Sequence, residues 1–371
     1  MNKLVIIKKD LQNNIETIKK MINSKQDKKA DLIAVVKANG MGLDLIQYTK
    51  FLSKNGIKKF AVATLEEAIK LRVDAKITDE ILMMTPTSNE DEVKLLIKNN
   101  IILTVGALNE LEVIKKVSKS LTKTASINLK IDTGFGRYGF LYSDETNILN
   151  VFKNKGNVEI LGTFTHFSKC TDEQWTRTQF DRFVKCINLI KEKGYNPGLT
   201  HCASSTAFLC YKDMWLDAVR IGSALQGRTI KKVPNLVKIG EYKTSIIEIK
   251  ELPKNFAISY GKSYITKTNT IVATISTGYI DGFNISKLND DFSFKSKFKL
   301  ILKDIKHLFK DSSLKVCIHV KEYTVVGKLG MYYSVVDISS AKSNEVKVGD
   351  EVRISNISPM YINEKIKREY I

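Results

Sequence analysis

Short apolar runs alternate with amphipathic segments through the first 235 residues of the chain. The segment before the first run places Leu11, Ile15, Ile18 and Ile22 on one helical face. That run, "LIAVV" at 32–36, is apolar at every position, which is typical of a strand covered on both faces of a parallel sheet. Further strands are predicted at 59–63, 80–85, 101–105, 126–132, 158–165, 198–203 and 217–221. Eight strands alternating with helices over about 230 residues predict a closed, TIM-like (β/α)8 barrel.

The pattern changes after residue 235, where strands follow one another without regular helices between them. Examples are "YKTSIIEIKEL", "TIVATIST" and "VGDEVRIS". We therefore predict an α/β protein with a barrel domain over 1–235 and a mainly β domain over 236–371. Inside the second domain, the stretch 289–310 has apolar residues at helical spacing and predicts a helical insertion.

The formal net charge of +19 raises the question of nucleic-acid binding, because basic surfaces gain affinity for phosphate backbones through counterion release. The lysines occur as scattered pairs with acidic residues between them, and no aromatic signature of an RNA- or DNA-binding module accompanies them. We therefore expect lysine to act mainly as a solubilising residue, and we predict no specific nucleic-acid partner.

Composition also bears on compartment and metals. The apolar run near the start, Leu4 to Ile7, is too short for a signal-peptide core or a membrane span. The chain has five cysteines without Cys-x-x-Cys spacing and four histidines without ligand spacing, so neither a disulfide framework nor a metal site is predicted. We expect a soluble, cytoplasmic protein with no membrane partner.

A lysine follows the first predicted strand directly. In "AVVKANGMG" Lys37 stands between the apolar run and a segment with two glycines and an asparagine, which is turn chemistry. A lone lysine at such a place is often a side chain that reaches out to solvent. Active sites of parallel barrels, however, collect at the carboxyl ends of the strands. The position therefore makes Lys37 a candidate functional amine.

Other polar residues follow the ends of later strands. Arg137 follows the fifth strand and His166 ends the sixth. The seventh leads into Ser204 and Ser205 at a predicted helix start, and the eighth carries Arg220 before Gly222 and Ser223. Loops after the last two barrel strands often bind phosphate. These residues predict a phosphorylated ligand at this rim, within reach of Lys37.

Seven segments together resemble a known family, the fold-type III alanine racemases, which use pyridoxal 5'-phosphate. They are "AVVKANGMG", "KIDTGFGRYG", "THFS", "HCASSTA", "VRIGSALQG", "SYGKSY" and "TGYIDG", in the order the family has them, and "VGKLGM" is a weaker echo. The resemblance covers nearly the whole chain. It implies a barrel, a β domain and a head-to-tail homodimer in which the β domain of one chain meets the barrel rim of the other.

The resemblance implies a role for each matching residue. Lys37 would carry the cofactor and move a proton on one face of the amino acid, and Tyr260 of the partner subunit would act on the other face, beside His166. Taken alone, a tyrosine such as Tyr260 or Tyr279 is more often a half-buried strand residue, because aromatic residues favour strands. The remaining implied roles are cofactor-ring stacking by His166, ring-nitrogen contact by Arg220, phosphate binding by Ser205, Gly222, Ser223 and Tyr361, substrate contact by Arg137, Tyr279 and Met331, and carbamylation of Lys130.

The sequence also departs from the family pattern. Met41 stands where a phosphate-binding tyrosine is usual, and Ser204 replaces an asparagine. Gly330 and Tyr332 replace a cysteine and an aspartate beside Met331. These changes leave open a racemase for another amino acid, serine or a basic one, or a decarboxylase of the same fold. A noncatalytic pyridoxal-phosphate carrier is disfavoured because such carriers lack the β domain that bears Tyr260.

Overall fold

The computed structural model describes residues 2–24, 29–285, 314–355 and 357–371, with six isolated positions between 294 and 302. The chain forms two compact units, one of residues 8–239 and one that joins residues 1–7 to 240–371. The helical insertion predicted at 289–310 lies outside the continuously described ranges.

Eight parallel strands form the barrel unit within the described residues. After β1 (Lys3–Ile6), which belongs to the other unit, the eight strands are β2 (Asp31–Val35), β3 (Lys59–Val62), β4 (Glu80–Met83), β5 (Leu103–Val105), β6 (Ala125–Asp132), β8 (Val158–Phe164), β9 (Leu199–His201) and β10 (Ala218–Ile221). A short additional strand, β7 (Phe140–Leu141), follows β6 along the chain. The barrel order is β4-β3-β2-β10-β9-β8-β6-β5, and β7 pairs with β6. A parallel bridge between Leu82 and Ile102 nearly closes the ring. The predicted barrel and its eight strands are confirmed.

Helices join the barrel strands and cover them. The predicted face of the first helix is confirmed, because Leu11, Ile15, Ile18 and Ile22 are all buried. The helices are Lys8–Asn23, Leu45–Lys54, Leu65–Ile69 with its π-helical continuation Lys70–Asp74, Glu90–Lys98, Leu108–Leu121, Glu145–Lys153, Glu173–Glu192 and Ser205–Cys210. Apolar side chains of alternate strands, such as Ile33 and Leu82, pack in the barrel interior. This packing holds the strand ends in fixed positions.

The second unit is a β-sheet structure, as predicted. Its strands are β1, β11 (Glu241–Leu252), β12 (Ala257–Ile258), β13 (Tyr264–Ile265), β14 (Thr270–Ile275), β15 (Lys315–Ile318), β16 (Lys321–Val326), β17 (Ser334–Asp337), β18 (Glu351–Ile354) and β19 (Lys367–Tyr370). The main sheet has the order β14-β17-β16-β15-β18-β11-β1-β19, and β14 also pairs with β11. Six antiparallel strands therefore close on themselves, while β1 and β19 extend the sheet.

The first strand is placed differently from the sequence prediction, which assigned residues 1–7 to the barrel domain. β1 pairs antiparallel with β11 and parallel with β19. The apolar run of Leu4 and Ile6 is fully buried there. An apolar run specifies that a strand is buried but not which sheet it joins, because its pairing partners are more than 200 residues away along the chain. No helix in the described part of the chain is long and apolar enough to cross a membrane.

Candidate active site

Lys37, after the first barrel strand, begins a left-handed turn. The N–H of Val36 still donates to the carbonyl of Ala61 on the neighbouring strand at 2.9 Å. From Ala38 to Met41, four successive residues have φ between 52° and 65°. Left-handed backbone costs roughly 1–2 kcal/mol for each residue that has a side chain. Such a turn persists only where surrounding contacts hold it.

Three side chains supply those contacts. Glu67 accepts a hydrogen bond from the N–H of Ala38 at 2.5 Å. The side-chain oxygen of Asn39 accepts from the first N–H of the helix that follows, at 2.9 Å. Gln226, which is buried, donates to the carbonyl of Met41 at 3.1 Å. The position of the lysine is therefore fixed by parts of the chain that are distant in sequence.

Two backbone N–H groups after β10 converge on one hydroxyl. Ser205 accepts hydrogen bonds from the N–H of Gly222 at 3.1 Å and of Ala224 at 3.3 Å. A hydroxyl that accepts in this way can still donate its own proton. Ser205 can therefore offer a hydrogen bond to an anion, and Ser204, Thr206 and Ser223 line the same cavity.

The guanidinium of Arg220 is buried in the barrel and forms no ion pair with a carboxylate among the described residues. Arg220 is 3 % exposed and donates to the carbonyls of Thr165 at 2.6 Å and His201 at 3.1 Å. It also lies 2.5 Å from Nδ1 of His201 and 3.4 Å from Nδ1 of His166. Burial lowers the pKa of Arg220 to about 10. The side chain therefore stays cationic at neutral pH.

His166 lies two residues beyond the end of β8, with its ring 5.6 Å from that of Phe135. Burial, followed by the positive charges of Arg220, Lys130 and Arg137, lowers the pKa of His166 to about 3. His166 is therefore neutral at physiological pH, and its ring can donate one hydrogen bond and accept another.

Lys130 is a buried amine on β6. Its Nζ donates to the carbonyl of Ile131 at 2.8 Å and lies 5.6 Å from the ring centroid of Phe164. Burial lowers the pKa of Lys130 to about 7, and the charge of Arg220 adds to the effect. Near neutral pH a large fraction of this side chain is the unprotonated, nucleophilic amine.

Asp132 shapes the loop that carries Arg137. Its carboxylate accepts hydrogen bonds from the four successive N–H groups of 134–137 at 2.8–3.2 Å. Burial raises the pKa of Asp132, but the backbone hydrogen bonds outweigh burial and hold the pKa below its ordinary value. Arg137 then lies over the rings of Phe135 and Tyr138, at 4.5 and 4.6 Å from their centroids.

These groups line one cavity of about 340 Å³ at the carboxyl ends of the barrel strands. Among the described residues that line it, none is Asp or Glu, so the cavity attracts anions. The sequence-predicted residues that it brings together are Lys37, Lys130, Arg137, His166, Ser204, Ser205, Arg220, Gly222 and Ser223, with Met41 beside them.

The other predicted site residues, Tyr260, Tyr279, Met331 and Tyr361, belong to the C-terminal unit. Tyr279 begins a 3-10 turn, and its N–H donates to the carbonyl of Gly330 at 3.1 Å. The N–H of the next residue donates to the carbonyl of Met331 at 3.2 Å. Within this unit, the structure therefore joins the segment around Tyr279 to the segment around Met331.

Close backbone approach explains the glycines on both sides of that turn. A Cβ atom on Gly278 would lie 2.3 Å from the carbonyl oxygen of Gly330, and one on Gly282 would lie 2.1 Å from that of Tyr361. The Tyr260 turn meets the same loop, because the hydroxyl of Ser259 donates to the carbonyl of Lys328 at 2.5 Å. The four predicted residues of this unit thus lie on connected loops.

Sequence reasoning missed three residues that position the barrel side of the site. His201 ends β9, whereas the predicted strand ran on to residue 203, so looking for polar residues just after strand ends did not select it. Glu67 forms a capping box with Thr64, a motif that is readable in the sequence, but that local motif gives no sign of its contact to the N–H of Ala38 in the lysine turn. Gln226 had no local signal, because its role depends on a residue 185 positions away.

Family models describe both units of the chain. A model of the alanine racemase N-terminal domain matches residues 6–229, and one of the alanine racemase C-terminal domain matches residues 239–368. An alanine racemase from Methanococcus maripaludis is 30% identical over 352 residues, which cover 93% of this chain and 86% of that protein. Alanine racemase 2 from Caldanaerobacter subterraneus subsp. tengcongensis is 31% identical, over 92% of this chain and 82% of its own.

Solved structures are similar over the same extent. Alanine racemase from Clostridium difficile 630 has a TM-score of 0.84 at 25% identity, with 100% of this chain and 95% of that chain covered. Alanine racemase from Bacillus anthracis with bound L-Ala-P has a TM-score of 0.77 at 26% identity and covers 95% of this chain and 85% of its own.

Proposed function

The chain belongs to the alanine racemase family, a family of isomerases, and on that premise we propose that it interconverts L- and D-alanine with pyridoxal 5'-phosphate as cofactor. The observation that carries the proposal is the barrel cavity, in which a lysine at the end of the first strand shares an anion-attracting space with a buried arginine. Hydroxyl side chains, Ser205 among them, line the same cavity. A cofactor with one aldehyde, one ring nitrogen and one phosphate needs these three kinds of group: an amine, a cation and hydrogen-bond donors.

The residues of the cavity fit that cofactor. Lys37 supplies an amine for the aldehyde. The hydroxyl of Ser205, which accepts from the N–H of Gly222, would donate to the phosphate, and the segment after β10 would bind it through Gly222 and Ser223. Tyr361 would add a phosphate contact from the C-terminal unit, and this contact gains importance because Met41, an apolar side chain, stands in the barrel where a tyrosine is usual.

When bound, pyridoxal phosphate supplies an electron sink that makes the α-proton of an amino acid removable. The chain itself must then move that proton between the two faces of the substrate. Lys37 Nζ would exchange the proton on one face, and the hydroxyl of Tyr260 of the partner subunit would exchange it on the other. His166 is neutral and would accept a hydrogen bond from that tyrosine.

Arg220 favours racemisation over competing reactions. As a fixed cation with no carboxylate beside it in the described chain, it opposes protonation of a pyridine nitrogen. Limited delocalisation of charge into the ring disfavours transamination. The decarboxylases of this fold place a carboxylate at that nitrogen, so the buried arginine also argues against decarboxylation here.

Substrate contacts complete the assignment. Arg137, held by the Asp132 loop, would bind the phenolic oxygen of the cofactor and lie near the substrate carboxylate. Tyr279 and Met331 would border the substrate from the C-terminal unit. The proposed enzyme is a homodimer with shared sites that acts in the cytoplasm and supplies D-alanine for peptidoglycan.

Lys130 is the proposed site of carbamylation. Its neutral amine can add to carbon dioxide, forming an N–C bond and releasing a proton, and the resulting anion would lie near Arg137 and Arg220, whose charges act on this residue. Labelling with ¹³C-bicarbonate should give a carbamate NMR signal that Lys130→Met abolishes.

The function is tested by exchange in deuterated water. The purified protein, loaded with pyridoxal phosphate, is incubated with each L-amino acid, and both α-proton exchange and formation of the D-isomer are measured. We expect L-alanine to react fastest and Lys37→Ala to lose about a thousandfold in rate. Faster reaction with serine or a basic amino acid would assign that amino acid as the substrate instead of alanine. Absence of exchange with every amino acid would contradict the racemase assignment.

A further inference from the structure

His201 lies between two side chains deep in the barrel. It is fully buried at the end of β9. Its Nδ1 lies 2.5 Å from a terminal nitrogen of Arg220, and its Nε2 lies 3.3 Å from the Nδ2 position of the side-chain amide of Asn128 on β6. The ring stacks on Phe164 with an interplanar angle of 10° and a centroid distance of 5.2 Å. Stacking fixes the plane of the ring but does not determine which of its two nitrogens carries the proton.

The guanidinium of Arg220 constrains one of the two ring nitrogens. Arg220 can only donate hydrogen bonds, so the Nδ1 atom that it contacts must present a lone pair. Burial and the charge of Arg220 keep the pKa of His201 well below its ordinary value, so the ring is neutral. A neutral ring with a lone pair on Nδ1 carries its proton on Nε2.

Asn128 must then accept from the Nε2 proton. The oxygen and nitrogen of a carboxamide occupy equivalent positions, and the hydrogen-bond network decides which one faces a partner. The oxygen of Asn128 therefore faces His201. The amide is therefore turned relative to its Nδ2-to-His201 placement. The atom at the Oδ1 position is buried and has no hydrogen-bond partner among the described residues, and the side chain lines a second cavity of about 150 Å³. The NH₂ group of Asn128 is accordingly directed to that cavity.

The neighbouring strand leaves room for this arrangement. A Cβ atom on Gly162 of β8 would lie 3.1 Å from both polar atoms of the Asn128 amide. A larger residue at 162 would press the amide away from its contact with His201. The close approach at Gly162 thus supports a fixed place for the Asn128 side chain.

We propose that Asn128 is a positioning residue for His201: by accepting from Nε2–H it stabilises, together with Arg220, the tautomer whose Nδ1 accepts from the guanidinium. Without that acceptor, the Nε2–H form would lose part of its stabilisation, and with it the contact that helps to hold Arg220. If the proton moved to Nδ1, two donors would face each other across the 2.5 Å contact. Arg220 would then depend on carbonyl acceptors such as Thr165. The tautomer assignment stands independently of the enzyme's activity, and only its effect on catalysis rests on the proposed function.

The first test measures the tautomer directly. In protein labelled with ¹⁵N-histidine, long-range ¹⁵N–¹H correlation spectra distinguish protonated from unprotonated ring nitrogens, and the signals of His201 are assigned by their loss in His201→Gln. We expect a protonated Nε2 and an unprotonated Nδ1. An Nδ1–H tautomer in the unsubstituted protein would overturn the proposal without any need for an Asn128 variant.

The second test compares two substitutions of similar size. Asn128→Leu removes the acceptor, while Asn128→Asp retains an oxygen that can accept from Nε2–H. We expect the leucine variant to lose the Nε2–H tautomer and the aspartate variant to keep it. Retention of Nε2–H in a folded leucine variant would show that Asn128 does not set the tautomer.

The third test reads the effect at the cofactor. In the loaded holoenzyme, Asn128→Leu should raise transamination relative to racemisation about tenfold, which corresponds to 1.4 kcal/mol, and Asn128→Asp should partition nearly like the unsubstituted enzyme. An equal ratio of transamination to racemisation in all three proteins would show that the effect of Arg220 on the cofactor does not depend on Asn128. If the protein proved not to be a racemase, the first two tests would still show whether Asn128 stabilises the Nε2–H tautomer of His201.

Discussion

The two compact units present their candidate site residues in opposite ways. In the barrel, Lys130 and Arg220 are each 3 % exposed and are held by hydrogen bonds to strand carbonyls. In the C-terminal unit, Tyr260 is 73% exposed and Tyr279 46%. The barrel therefore fixes its charges before any ligand binds, whereas the C-terminal unit offers aromatic groups on its surface. Under the proposed function, the partner subunit would provide the matching half of each site.

The comparison has an energetic side. Burying a cation without a carboxylate partner costs stability, because the charge loses its hydration. The barrel bears that cost at Arg220 and reduces it at Lys130, where the lowered pKa allows the charge to be given up. Exposed tyrosines carry no such cost. Substitutions in the two units should therefore differ in kind: those in the barrel should change stability and its pH dependence, and those in the C-terminal unit should change activity alone.

The largest effect is expected when both halves of the site are disabled separately. Because a positioned general base contributes roughly 10²–10⁴-fold, Lys37→Ala and Tyr260→Phe homodimers should each lose about a thousandfold in racemisation. After the two variants are unfolded and refolded together, mixed dimers should regain part of the activity, because one of the two sites then carries both defects and the other carries none.

Two controls make that experiment decisive. Each variant is refolded with itself, which should restore nothing, and different affinity tags verify that mixed dimers have formed. Verified mixed dimers without recovered activity would mean that both residues of a site come from the same chain. That result would overturn the shared-site model while leaving the assignment of Lys37 to the cofactor untouched.

A smaller effect should follow from replacing the buried amine. Lys130→Met should stabilise the protein by at most about 4 kcal/mol at pH 7, because the folded pKa lies roughly three units below the unfolded one and each unit corresponds to about 1.4 kcal/mol. The lysine binds fewer protons in the folded than in the unfolded state between its folded pKa of about 7 and the ordinary lysine pKa. The penalty it causes therefore shrinks as the pH rises through that window.

Urea unfolding at pH 7 and pH 10, in buffer free of carbon dioxide, measures this difference. Lys153→Met, at the end of the exterior helix Glu145–Lys153, is the matched control and should change stability little at either pH. A gain from Lys130→Met that stays constant between pH 7 and pH 10 would contradict the lowered pKa.

The smallest effect concerns the loop that carries Arg137. Asp132→Asn leaves one acceptor oxygen for the backbone N–H groups and should cost about 1 kcal/mol of stability. Because the pKa of Asp132 is lowered on folding, its contribution is present above the unfolded pKa of about 3.9 and is lost as the pH falls through the folded value. The stability difference between the variant and the unsubstituted protein should therefore vanish in acid.

Unfolding curves between pH 7 and pH 3 test this, together with the KM for L-alanine, which should rise if the loop positions Arg137. Asp172→Asn, which alters a helix N-cap that accepts from Trp175, serves as the control and should leave KM unchanged. Equal KM values in all three proteins would show that the Asp132 loop does not position Arg137 for substrate binding.

The elements of the molecule could be predicted from the sequence because their signals are local. The eight barrel strands, the buried face of Lys8–Asn23 and the capping box at Thr64 each follow from side chains within a few residues of one another. The strand-end rule also selected Lys37, His166 and Arg220 as neighbours, because parallel strands in a barrel bring their carboxyl ends to one rim. All three line the same cavity.

The tertiary structure alone decided the rest. The sheet that β1 joins, the left-handed backbone from Ala38 to Met41 and the lowered pKa of Lys130 all depend on residues far away along the chain. The sequence placed a lysine at the end of a strand, but Gln226 and Glu67 hold its turn in a conformation that the local residues would not adopt by themselves. Hydrophobic periodicity and turn chemistry depend on residues that are neighbours in sequence. The handedness of a strained turn, the desolvation of a buried amine and the tautomer of a buried histidine depend instead on the atoms that the completed fold packs around each group.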